Sequence, residues 1–203
     1  PAIYLIIVWN HLPETVAMHY DLKGNPDRFG SKRELIGITA ILIGVNMFVY
    51  FLLTNIYRID PKKYAADNKD RLQRIAFAVS IFMATLLIFI IYSSTQSNLK
   101  LNAGIILSGV GLLFAVVGNY LPNLKPNYFA GLRLPWTSEN SDNWKKTHAL
   151  AGKLWFTSGL FLAAICLFLP TEVAIIVFFA VLTVITIIPC VYSYRVYKTQ
   201  KRK

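Results

Sequence analysis

Five stretches of this chain, residues 35–57, 75–92, 101–121, 154–169 and 173–194, contain no charged residue, and short basic segments separate them. The hydrocarbon core of a bilayer is about 30 Å thick and takes roughly 20 apolar helical residues to cross. No water is present there to satisfy backbone N–H and C=O groups, so each stretch must be a helix. A soluble helix of this length would carry a polar face, and none of the five does. The opening segment, apolar through Leu12, covers only about 18 Å at a helical rise of about 1.5 Å per residue. An incomplete first helix is therefore expected, with residues preceding Pro1; no basic leader and no small-residue cleavage site mark it as a signal peptide. The expected fold is an all-α, polytopic membrane bundle of six transmembrane helices, the first of them partial.

Composition agrees with that class. The chain is 55% hydrophobic with a mean hydropathy of +0.48. The net charge of +11 would suit nucleic acid in a soluble protein. In a membrane protein, basic loops anchor against anionic lipid instead, so membrane lipid is the expected partner and no direct nucleic-acid binding is expected. With six helices, one face collects sixteen Lys/Arg (residues 58–74, 122–153 and the tail from Arg195) and the other five. The positive-inside rule puts the basic face and both termini in the cytoplasm, leaving loop 13–34 outside and loop 122–153 inside.

Local signals punctuate the segments. Gly24-Asn25-Pro26-Asp27 and Gly30 fill the outer loop with turn formers. Ser31 and Glu34 have capping-box spacing ahead of the second helix, and Asp60-Pro61 has the form of a cap with proline at the first helical position. Gly104, Gly111 and Gly118 recur every seven residues beside Ser108 and Ala115; Gly152, Gly159, Ala163 and Cys166 offer a matching face. Small residues of this kind let membrane helices approach closely. Cys166 and Cys190 fall at different depths, so no disulfide is expected. Pro189 is placed to kink the last helix.

Asn10-x-Leu12-Pro13 recurs as Asn119-x-Leu121-Pro122, with Pro26 and Pro135 equally far beyond. The offset spans three helices and admits a 3+3 inverted repeat, an arrangement of transporters. It divides the chain into halves 1–95 and 96–203.

Chemistry is sparse. No charge lies in the cores of the last five helices, which argues against ion-coupled transport. Asn46, Thr85, Ser108, Asn119, Thr157, Thr183 and Thr186 are the polar residues left there, and such residues commonly bond across helices. His11 and His19 fall outside and His148 inside, so the three cannot share a metal. His19, Asp21 and Asp27 form a trio that turn capping and salt bridging explain without a metal. No zinc-peptidase, nucleophile–base or phosphate-loop pattern is present, so neither enzymatic activity nor a cofactor is expected.

Two loops are richer in aromatics, Arg, Pro and Gly than a solvated linker needs. In the inner loop Gly131, Leu132, Arg133, Pro135, Trp136, Thr137, then Trp144, Thr147 and His148 match the G-[IL]-R-x-P-W-T signature of the SdpI family of bacterial multipass membrane proteins. In the outer loop Leu12, Pro13, His19, Gly24, Asp27, Ser31 and Lys32 resemble the uncharacterised extracellular-loop domain that precedes the signature in many members. The resemblance spans nearly the whole chain; Leu134 and Ser138 depart from the commoner Thr and Leu. It implies an immunity and signalling protein of the bacterial cytoplasmic membrane, protecting against a secreted toxic peptide and holding a cytoplasmic repressor. The runner-up is a small-molecule or peptide transporter built on inverted repeats. Asn127, Gly131, Arg133, Pro135, Trp136, Thr137, Trp144 and His148 are then the expected inner-loop contacts with a partner. His19, Asp21, Gly24, Asp27, Arg28 and Lys32 are the expected outer-loop contacts with the peptide.

Overall fold

The computed structural model describes residues 1–62, 64, 66–96 and 100–201. A short apolar helix α1 (Ala2–Val8) ends in a 3₁₀ turn at Trp9–His11. Strands β1 (Thr15–Tyr20) and β2 (Pro26–Ser31) follow, then α2 (Glu34–Asn55) and α3 (Lys69–Ser94). The second half contains α4 (Ala103–Tyr120), a four-residue helix α5 (Pro135–Ser138), α6 (Ser141–Ile165) and α7 (Thr171–Lys201). Five helices are long and apolar enough to cross a membrane, and Ala2–His11 is a shorter apolar one. The fold is thus the all-α polytopic bundle read from the charge-free stretches. Ile41, Phe48 and Phe51 on α2, and Ile176, Phe179 and Ile187 on α7, stand exposed at mid-helix; in lipid this is a satisfied surface.

The glycine stripes meet. A side chain at Gly111 would strike the backbone of Gly159 and Ala163, one at Gly159 the backbone of Ala115, and one at Gly118 the backbone of Trp155 and Phe156. The hydroxyl of Ser108 donates to the carbonyl of Ala163 across the same seam. Close approach of α4 and α6 replaces the hydrophobic drive that lipid does not supply. Leu162, Cys166, Ala174 and Phe178 fill the space between α6 and α7 at one end, and Leu121, Leu124 and Ala151 close the other. Leu5, Leu12, Val16, Leu35, Leu87 and Ile91 seal α1 and β1 onto α2 and α3.

Four local expectations change. The outer loop is an antiparallel hairpin, with Val16 opposite Gly30 and Ala17 opposite Phe29, and with bulges flanking His19. Helix α6 begins at Ser141, well before the charge-free run starting at residue 154, so Trp144 and His148 lie on a helix and not in a loop. Asn143, Trp144, Thr147, His148, Ala151 and Gly152 form its buried face, while Asp142, Lys145 and Lys146 point outward. Among the described residues Asp60 caps no helix; its carboxylate accepts from the N–H of Lys62 at 2.9 Å and of Tyr128 at 2.9 Å. The capping box is half made. Glu34 accepts from the Ser31 N–H at 2.9 Å, whereas the Ser31 hydroxyl accepts from Arg33. Pro189 sits inside α7, which continues to Lys201. Both cysteines are free thiols.

The halves share one further likeness, since α1 and α4 both end in a 3₁₀ turn. Their long loops differ, one being a hairpin and the other a helical turn.

Candidate functional site

The inner loop is organised from its backbone outward. The buried Asn127 is its hub: Oδ1 accepts from the N–H groups of Phe129 (2.9 Å) and Ala130 (2.6 Å), and Nδ2 donates to the carbonyls of Lys125 and Ala130. This compact turn leaves Gly131 at a φ of +101°, a conformation that side chains disfavour. Any Cβ there would also meet Nε2 of His148. Pro135 opens α5, where its fixed φ and missing N–H cost nothing. The Thr137 hydroxyl, fully buried, accepts from the Leu134 N–H at 2.9 Å and faces the carbonyls of Leu132 and Leu134.

His148 anchors this loop to α6. Its Nε2 accepts from the Leu132 N–H at 3.0 Å, and its Nδ1 lies 2.9 Å from the Trp144 carbonyl. Those partners fix the neutral tautomer protonated at Nδ1. The ring stacks on Trp144 at 4.0 Å and 18°, and the Trp144 indole donates to the Leu124 carbonyl at 2.8 Å.

Arg133 and Trp136 are already engaged. Arg133 donates from Nη1 to the Tyr128 carbonyl and so closes the loop on itself. Trp136 sets its ring edge-to-face with Tyr194 at 5.4 Å and stacked on Tyr197 at 6.0 Å, docking α5 on α7. Among the described residues, its indole N–H is buried without a hydrogen-bond partner.

Several residues of this assembly carry no sequence motif. Asn143, fully buried, donates to the Ser193 carbonyl at 3.1 Å and accepts from the hydroxyls of Thr147 and Ser193. Asn68 pairs with the backbone of Lys125 in both directions, at 2.8 and 3.2 Å. Lys62 lies 4.8 Å over the Tyr128 ring and donates to the Ser138 carbonyl. Buried amides facing backbone are identifiable only once the fold brings them together.

The outer residues sit on the hairpin. Asp21 holds the turn: Oδ1 accepts from the N–H groups of Lys23 (2.9 Å) and Asn25 (2.8 Å), and Oδ2 from the Asn25 side chain. These bonds, that from the Asn25 backbone first, lower its pKa from the ordinary carboxylate value. His19 and Asp27 pair across the strands at 2.6 Å, and both are exposed. Arg28 stands opposite His19 and is also exposed. Lys32 pairs with Glu14 at 2.9 Å and lies 5.2 Å over Trp9. Gly24, at φ +81°, buries its backbone against Leu101 and accepts the Leu101 N–H at 2.8 Å. The hairpin tip therefore rests on the start of α4. A cleft beside it is lined by Lys23, Lys100 and Glu172, so its charge is partly balanced.

Among the described residues, no group of three or more His, Cys, Asp or Glu gathers as a metal site. Of the intramembrane polar residues, Asn46, Ser108, Thr157, Thr183 and Thr186 bond between or within helices. Asn46 accepts from the Ser80 hydroxyl at 2.8 Å and donates to the Ser80 carbonyl, while Thr157, Thr183 and Thr186 bond back to their own helices.

Residues 123–193 match the SdpI/YfhL protein family, and residues 1–43 match a domain of unknown function, DUF1648. The first segment encloses the inner assembly from Lys125 to Ser193, and the second encloses the hairpin. The chain is 29% identical over 199 residues to a Bacillus subtilis protein named Immunity protein SdpI, covering 95% of this chain and 88% of that protein. An uncharacterized protein of Archaeoglobus fulgidus is 29% identical over 131 residues, covering 60% of this chain and 67% of its own length. No solved structure matches the chain significantly.

Proposed function

We propose that this chain, an SdpI-family protein behind a DUF1648 hairpin, is a non-enzymatic multipass membrane protein conferring immunity to a secreted toxic peptide. The observation that carries the proposal is similarity over 95% of the chain to a named immunity protein. Both termini are cytoplasmic in this reading, from the loop charges, and the membrane is the bacterial cytoplasmic one, as the resemblance to the SdpI family implies. The hairpin, with His19, Asp21, Gly24, Asp27, Arg28 and Lys32, is the surface offered to the peptide. The assembly around Asn127, Gly131, Arg133, Pro135, Trp136, Thr137, Trp144 and His148 is the surface offered to a cytoplasmic repressor.

Packing supports a link between the two. The hairpin tip is hydrogen-bonded to Leu101 at the head of α4, α4 is locked to α6 along the glycine seam, and α6 carries Trp144 and His148. A displacement at the tip thus meets rigid neighbours all the way to the inner loop.

The test is survival of a sensitive bacterium expressing the protein and challenged with secreted toxic peptides. Wild type is compared with an Arg133→Ala, Trp136→Ala double variant and with His19→Ala, Asp27→Ala, at equal expression. Protection by wild type and loss in the hairpin variant are expected. Loss in the inner variant places the inner loop in the protective mechanism; survival there confines protection to the outer face. Failure of wild type to protect against any peptide tested overturns the proposal.

A further inference from the structure

A cavity of about 500 Å³ opens between the loop leading into α3, the end of α4 and the start of α6. Tyr64, Arg71, Lys125, Pro126, Trp144 and Lys145 are among its lining residues. Three features of its chemistry point the same way.

Its charge is cationic and uncompensated. Among the described residues none of Arg71, Lys125 and Lys145 forms an ion pair with a carboxylate. The carboxylate at the rim, Asp142, is already shared between Lys146 at 2.7 Å and Gln200 at 2.9 Å. Three cations lining one recess, of which Arg71 also donates to the Asp67 carbonyl, favour an anion that accepts several charge-assisted hydrogen bonds at once, as a phosphate does.

Its floor is apolar and fixed. Trp144 is almost fully buried and tied to the Leu124 carbonyl, with Pro122 and Pro126 beside it. Such a floor suits the carbon skeleton attached to a phosphate better than a fully hydrated ion.

Its depth is that of lipid headgroups. Arg71 lies one helical turn, about 6 Å, before the charge-free run that opens at Ile75. Lys125 and Pro126 follow within a few residues of Leu121, where the α4 run ends. Lysine and arginine at this level meet the anionic lipid of the basic-side leaflet.

We infer that this cavity is a binding site for a phosphate group, occupied by the headgroup of an anionic phospholipid. The site is independent of immunity, and its test uses the purified full chain. Native mass spectrometry reads the lipid retained after extraction from bilayers of phosphatidylcholine alone or phosphatidylcholine with phosphatidylglycerol. Wild type retains a phosphatidylglycerol molecule from the mixed bilayer and no comparable phosphatidylcholine. Lys125→Gln and Lys145→Gln, both at exposed positions, each lower that retention roughly tenfold. Lys198→Gln with Lys201→Gln removes twice the charge of either cavity variant near the end of α7, outside the cavity, and leaves retention unchanged. An unshifted thermal midpoint in the cavity variants shows that they fold. Equal loss in the α7 control, or full retention in both cavity variants, overturns the site. Release of the lipid by inorganic phosphate, with equal thermal protection by phosphate alone, keeps the phosphate site and overturns the lipid assignment.

Discussion

The His148 imidazole is hydrogen-bonded at both nitrogens, to the Leu132 N–H at 3.0 Å and to the Trp144 carbonyl at 2.9 Å. One neutral tautomer satisfies both; a second proton at Nε2 would set donor against donor. His148→Phe keeps the stack on Trp144 but strands the Leu132 N–H. A loss of about 1–3 kcal/mol is expected, read as a lower thermal midpoint of the purified protein in detergent. A midpoint equal to wild type would show that the bond contributes nothing to the loop.

Gly131 tests the same junction from the loop side. Its φ of +101° and its contact with the His148 ring both exclude a side chain. Gly131→Ala should cost about 1–3 kcal/mol in backbone strain alone and open the segment around Tyr128–Arg133 to limited proteolysis. Unchanged cleavage and stability would show that the loop re-forms around the methyl group.

The glycine seam predicts a contrast between positions of one residue type. Gly159→Ala drives a methyl group into the backbone of Ala115 and Gly111, whereas among the described residues nothing lies within 4 Å of a methyl at Gly44. Overpacking costs roughly 1–3 kcal/mol, while Gly→Ala on an open helix face gains up to about 1 kcal/mol. Unfolding by sodium dodecyl sulfate titration should therefore separate the two variants on opposite sides of wild type. Equal behaviour would refute close α4–α6 contact.

The bundle was legible because lipid forbids charge along whole spans, and five spans obeyed. The glycine seam was legible because its period of seven keeps residues on one helix face. The first turns of α6 were not, because Asp142, Lys145 and Lys146 hide the buried face formed by Asn143, Trp144, Thr147 and His148. The hairpin escaped notice because its strands are short, bulged at His19 and joined by turn formers that a loop would also carry. Signature residues Trp136 and His148 were recognisable, but their pairing with Tyr197 and Leu132 was not. Asn143 and Ser193 stand fifty residues apart, and no local pattern announces such a pair.

That pair supports its own measurement. Asn143→Leu leaves the Ser193 and Thr147 hydroxyls without their shared acceptor, both fully buried. A loss of about 1–3 kcal/mol follows from stranding buried polar groups. Ser193→Ala should cost less in the Asn143→Leu background than in wild type, since the bond is already gone. Additive losses in this double-mutant cycle would mean that the two residues act separately.

The hairpin turn carries a pH dependence with a defined sign. Hydrogen bonds from the Asn25 backbone, and then from its side chain, hold the Asp21 carboxylate below its ordinary pKa. A depressed value means that the folded turn favours the ionised form, so its contribution is complete above the ordinary carboxylate pKa. That contribution falls away as the pH drops through the folded value. Protection of the Asn25 and Leu101 amides against hydrogen exchange, corrected for intrinsic rates, should therefore fall in acid. Asp21→Asn removes the titration while keeping one acceptor, so its protection should be lower and nearly flat over the same range. If wild type and variant lose protection in parallel, another group controls the turn, and the exposed His19–Asp27 pair is the next to test.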